Sequence, residues 1–203
     1  MGDEMRNQRE RRRTPFRRLA AAPIAVCLVF ALNAAAALAQ EPARPQPDAD
    51  KLQPGLAAGY YYAMYHDVGE FRPMTQHRAP PVLQLNYPPG GTNYVLTAQS
   101  SEGVAADLKG FIKLDRAGTW KFRTMSNDGV RVTIGGKQII NDPGIHTDHV
   151  ADSDAIDVRQ PGWYPLQIMY FQRKGTWALQ LYWQPPGAEP EIVPAQAFAH
   201  VKD

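Results

Sequence analysis

The chain has 203 residues, with 22 Lys and Arg against 20 Asp and Glu and a single cysteine, Cys27. Residues 1–39 hold seven arginines and three acids, so the remainder carries 15 basic and 17 acidic side chains, a net of −2. That balance gives no support to a nucleic-acid partner, and beyond Cys27 there is no disulfide and no thiol chemistry to draw on.

The arginine-rich head runs into the apolar stretch "LAAAPIAVCLVFALNAAAALA", which ends at Ala37-Leu38-Ala39 before Gln40. A basic head, an apolar middle and small residues at the last and third-last positions are the pattern of a secretory signal peptide over residues 1–39. The competing reading is a retained membrane anchor, because the run is about as long as a bilayer is thick. Removal of the leader implies a secreted or periplasmic protein. Residues 40–54, "QEPARPQPDADKLQP", are proline-rich and lack large apolar groups, the composition of a disordered linker. Residues 55–203, about 150, suffice for one packed core.

From Gly55 onward the pattern is all-β, and short strands joined by Gly, Pro, Asn and Asp predict an antiparallel sandwich or barrel. "GYYYAMYHD" predicts an aromatic strand over Tyr60–Tyr65. "VAADLKGFIKL" and "TWKFRTM" flank Asp115-Arg116-Ala117-Gly118 as a hairpin. Trp120, Phe122 and Thr124 share one face of the second strand. "VRVTI" and "KQII" meet at Gly135-Gly136, a two-residue turn open to positive φ at both positions. Residues 141–153 read as a polar loop and "AIDV" as a short strand. "WYPLQIMYF" places Tyr164, Leu166, Ile168 and Tyr170 together, and "TWALQLYW" does so for Trp177, Leu179, Leu181 and Trp183.

The segments "GLAAGYYY", "DLKGFIKLDRAGTWKFRTMSNDGVRVTIGGKQII", "GWYPLQIMYFQRKGTWALQLYWQPPG" and "EIVPAQAF", in that order, resemble the protective-antigen (PA-14) domain family over roughly Leu56 to Phe198. The resemblance implies a β-sandwich or barrel used by extracellular glycosidases, toxins and adhesins, usually as a carbohydrate-binding module. In the adhesin branch two adjacent aspartates joined by a cis peptide bind calcium, and the calcium takes sugar hydroxyls. The matching positions here are Asn127, standing where the first aspartate is usual, and Asp128. A second loop lies at Gln172-Arg173-Lys174-Gly175.

The resemblance makes Asn127, Asp128, Gln172, Arg173 and Lys174 expected glycan-binding residues, with Asn127 and Asp128 as the expected calcium ligands; the polar loop 141–149, read as part of the same rim, adds Asp142 and His146. Calcium wants six to eight oxygens, several of them anionic. One carboxylate at Asp128, opposed by Arg173 and Lys174, predicts weak or absent calcium binding. Asp142, His146, Asp148 and His149 crowd one loop, and a histidine–carboxylate set can hold zinc. His146-x-x-His149 brings both imidazoles together only if that loop curls; the alternative is a solvated loop near the sugar site. Asp152, Asp154 and Asp157 are the acids available for glycosidase chemistry, but nothing in their pattern buries them as a general acid requires. No G-x-S-x-G elbow is present. Trp120, Trp177 and Trp183 fall on apolar faces and read as core; Trp163 is out of phase and reads as the more exposed ring. The expected protein is a non-catalytic exported lectin-like module with a glycan or envelope polysaccharide as partner, the alternative being an accessory subunit docked on a larger envelope complex.

Overall fold

A computed structural model describes residues 40–71 and 75–202, so the predicted signal peptide lies outside the described residues. Fourteen strands run in chain order: β1 (Leu52–Pro54), β2 (Leu56–Tyr62), β3 (His77–Val82), β4 (Asn86–Gly91), β5 (Val104–Leu114), β6 (Gly118–Asn127) and β7 (Val130–Ile134). They continue as β8 (Lys137–Asp142), β9 (His149–Asp152), β10 (Ile156–Val158), β11 (Gly162–Gln172), β12 (Trp177–Gln184), β13 (Glu191–Ile192) and β14 (Phe198–Val201). Among the described residues no helix is long and apolar enough to cross a membrane.

The strands form two antiparallel sheets. In the first, β1-β14-β5-β11-β7-β8 is the order, with β2 paired to β5 and β3 to β2. In the second the order is β10-β6-β12-β13, with β4 on β12 and β9 on β6. The alternation read from sequence holds along the long strands. Trp120, Phe122 and Thr124 on β6 are buried while Lys121 and Arg123 are exposed. Tyr164, Leu166, Ile168 and Tyr170 on β11 are likewise interior. So are Trp177, Leu179, Leu181 and Trp183 on β12, and Trp120 meets Trp183 with ring centroids 5.1 Å apart. Trp163 is half-buried, under the Lys113 ammonium at 5.8 Å. The β7–β8 turn has φ of +57° at Gly135 and +79° at Gly136, as the two-residue hairpin requires.

Four boundaries differ from the sequence reading. The aromatic strand begins earlier, at Leu56, and ends at Tyr62. β3 and β4 carry Pro-Pro pairs, which mask strand pattern in a sequence, and each holds a sheet-edge position where a missing N–H costs little. The polar loop over 141–153 contains the end of β8 and all of β9, because cross-strand pairing with β7 and β6 supplies order that its composition does not signal. The proline-rich stretch is laid on the domain rather than free of it. Ala43 and Gln46 donate to the Trp163 carbonyl, and Leu52–Pro54 pair with β14.

Burial pushes the Tyr60 phenol up to about 12, and its oxygen stays within 2.8 Å of Thr97 Oγ1. Tyr87, Tyr164 and Tyr170 are raised for the same first reason. A folded value above the unfolded one means the stabilisation is complete below pH 10 and is lost as the pH rises through the folded value. The urea midpoint should fall steeply between pH 10 and 12, with Tyr60 contributing about 2–3 kcal/mol of the loss. A midpoint flat over that range in denaturation curves would contradict it, and Tyr60→Phe should blunt the fall.

Candidate functional site

β6 ends at Asn127 and β7 starts at Val130, so the chain reverses within Asp128-Gly129. The Asn127–Asp128 peptide is cis, the geometry the family resemblance implies at this joint. Gly129 is dictated by space: a Cβ there would lie 2.5 Å from the Pro143 carbonyl oxygen and 2.6 Å from the Phe171 ring. The Phe171 amide donates to the Gly129 carbonyl at 3.0 Å, and the Val68 amide to Pro143 O at 3.0 Å. The bend is thus wedged between β11 and the loop that follows β8.

Asp128 is 3% exposed. Its Oδ1 accepts the His146 amide at 3.2 Å, and its Oδ2 accepts the Arg173 amide at 2.8 Å. One carboxylate therefore ties together two loops that are 27 residues apart in the chain, through bonds strengthened by its charge. Asn127 stands beside it. Its side-chain NH2 donates to Asp148 Oδ1 at 3.0 Å, and its backbone oxygen accepts the Tyr170 hydroxyl at 2.6 Å. Burial, reinforced by the neighbouring Asp128 charge, drives the Tyr170 phenol well above its ordinary value, so it remains a neutral donor.

The second loop departs in part from the sequence reading. Gln172 is fully buried, and its NH2 donates to Gly175 O at 3.3 Å and Thr176 O at 3.2 Å. It shapes the turn and is out of reach of a sugar, which corrects its place among the expected binding residues. Arg173 is half-buried, and its Nε is enclosed without a hydrogen-bond partner. Lys174 is exposed. The turn is fixed from outside as well, by Gly175 N on Glu102 Oε1 at 3.1 Å.

The loop after β8 does curl. Asp142 Oδ2 lies 2.6 Å from His149 Nδ1 and 3.2 Å from His146 Nε2, and the two imidazole centroids are 5.3 Å apart. Asp142 pairs with Val130 in one sheet and His149 with Ser126 in the other, so the loop is anchored at both ends by strands. His149, which was not among the expected glycan-binding residues but stood in the histidine–carboxylate set of the sequence, belongs to this cluster. Grooves also lie elsewhere. One, of about 560 Å³, runs along the outer face of the second sheet past Arg123 and Tyr182; another, of about 460 Å³, lies beside Asp107 and Lys109. Each is crossed by a formed ion pair, Arg123–Asp152 at 2.6 Å and Lys109–Asp107 at 2.7 Å.

As ion ligands Asn127 and Asp128 offer little. Both oxygens of Asp128 already accept backbone amides, the Asn127 amide is turned with its nitrogen toward Asp148, and the facing loop brings a guanidinium. That donor set falls short of the six to eight oxygens calcium takes.

What results is an antiparallel β-sandwich with loops gathered at one end around the buried Asp128 carboxylate. The PA14 domain model matches residues 52–197, and the chain belongs to the PA14 domain family. Among solved structures, the PA14 domain of the MpAFP antifreeze protein superposes with a TM-score of 0.65 at 16% identity, covering 79% of this chain and 98% of that one. The PA14 sugar-binding domain from an RTX adhesin gives 0.57 at 19% identity, over 72% of this chain and 98% of its own. The epithelial adhesin 6 A domain of Candida glabrata, solved with Galb1-3GlcNAc, gives 0.58 at 14% identity, over 78% and 92%. No curated protein matches the chain.

Replacing Asp128 by Asn leaves one of the two loop amides facing an NH2 group, a buried donor without an acceptor. Asp128→Asn should cost about 1–3 kcal/mol. Hydrogen exchange should speed selectively at the His146 and Arg173 amides, and unchanged exchange at both would show that the carboxylate does not hold the loops.

Proposed function

We propose that the chain is an exported, non-catalytic carbohydrate-binding PA14 module that recognises a glycan or cell-envelope polysaccharide at the loop end around Asp128, without needing calcium. The observation that carries this reading is the clamp: one buried carboxylate holds the 142–149 loop and the 172–175 turn side by side on a rigid sandwich. Vicinal sugar hydroxyls are recognised by preorganised charged donors and acceptors, and this end offers both. Asp142 and His146 form one side of the rim, Arg173 and Lys174 the other; Asn127 and Asp128 position them. The sugar-binding neighbours support a carbohydrate as the ligand class. Export rests on the basic and apolar leader at residues 1–39.

The acidic stretch from the end of β9 supports a binding role over a hydrolytic one. A glycosidase acid needs a raised pKa. Hydrogen bonds from Arg123 instead hold the Asp152 carboxyl below its ordinary value, and Asp157 sits against Arg159 at 3.2 Å.

A glycan array in calcium-free buffer should give reproducible hits that added calcium leaves unchanged. The double variant Arg173→Ala, Lys174→Ala should weaken the best hit about tenfold or more, whereas Tyr182→Ala on the outer groove should not. Silence on the array sinks the lectin reading; loss through Tyr182→Ala alone would move the site to the sheet face, and calcium-dependent hits would restore the ion.

A further inference from the structure

The histidine pair beside Asp142 has a feature that loop solvation does not explain. His146 Nδ1 lies 2.7 Å from the Thr147 carbonyl oxygen, which can only accept, so Nδ1 carries the proton. In the neutral ring this leaves Nε2 with a bare lone pair. Nε2 is enclosed, has no hydrogen-bond partner, and faces Asp142 Oδ2 at 3.2 Å. Two acceptors opposed at that distance call for a shared cation. A proton is a poor candidate, because the His146–Asp142 contact lacks hydrogen-bond geometry.

We propose that Asp142, His146 and His149 form a binding site for a divalent transition metal of the zinc type. One ligand atom from each lies within 4.8 Å of the other two. Zinc bonds of about 2.0–2.2 Å in a tetrahedron put ligand atoms roughly 3.3 Å apart, so the two contacts to Asp142, 2.6 and 3.2 Å, need shifts under about 1 Å. Two imidazoles and a carboxylate select zinc, copper or nickel over calcium or magnesium. The outer contact is also in place: a ligating histidine commonly donates its other N–H to a carbonyl, as His146 does to Thr147. Three protein ligands leave a fourth position for water or a ligand oxygen, and His149, 57% exposed, puts it on the solvent side. The loop is pre-set for the metal by Asp128, which holds the His146 backbone from below. In this chain the family's ion-binding aspartate has become the support of a different metal site one loop away.

The test is a titration of the purified, chelator-stripped protein with zinc alone, read by calorimetry, and with cobalt(II), read by its visible absorption. One zinc per chain should bind at micromolar or tighter concentration, and cobalt should give the strong bands of tetrahedral coordination. His146→Ala keeps the backbone amide on Asp128, so the loop should stay folded while zinc affinity drops at least tenfold; His149→Ala should do the same. His77→Ala, on β3 in the first sheet, should change nothing. Amide exchange at His146 confirms that the loop is intact in each variant. No zinc uptake at about 100 μM, or uptake that survives the loss of both His146 and His149, would overturn the proposal. The titration uses no sugar, so a failed glycan array has no bearing on whether zinc binds.

Discussion

The loop end of this protein depends on the burial of one carboxylate. Asp128 is removed from solvent with a charge that must be compensated, and the compensation comes from two backbone amides on segments far apart in sequence. Leaving a buried ion underpaired costs several kcal/mol, so the two loops have little freedom to separate. Everything the loop end presents, from the His146 imidazole to the Arg173 side chain, is placed by that constraint. Gly129 and the Tyr170 hydroxyl complete it: the first admits Pro143 and Phe171 at close range, the second caps the Asn127 carbonyl.

The same constraint bears on the calcium chemistry that the family resemblance implies. Each oxygen of Asp128 already accepts one loop amide, so the aspartate braces the loops. Asn127 stands where a second carboxylate is usual and turns its NH2 toward Asp148. Nitrogen ligands appear instead one loop further out, gathered against Asp142. The exchange is coherent: less oxygen and less charge at the bend, more imidazole at the rim.

A sandwich suits such a site because rigidity and chemistry are divided between sheet and loop. The long ladder of β5 with β11 and of β6 with β12 fixes the frame, and its interior is filled by Trp120, Trp183, Tyr60 and Tyr164. None of these rings is available to stack on a ligand, so what the loop end presents is charged and polar.

The alternation of Trp120, Phe122 and Thr124, and of Tyr164 through Tyr170, made the long strands, their faces and the glycine turn at 135–136 legible in the sequence, because side-chain direction in a strand has a period of two. The family, and with it the bend at Asn127-Asp128, was equally visible. Strands with little pattern of their own, such as β3, β4 and β9, were not, since cross-strand partners order them. Nor could spacing reveal that Gln172 folds inward to close its own turn, or decide whether the loop curls enough for Asp142, His146 and His149 to converge. Those facts depend on where two sheets bring distant strand ends together, and a linear sequence does not encode that distance locally.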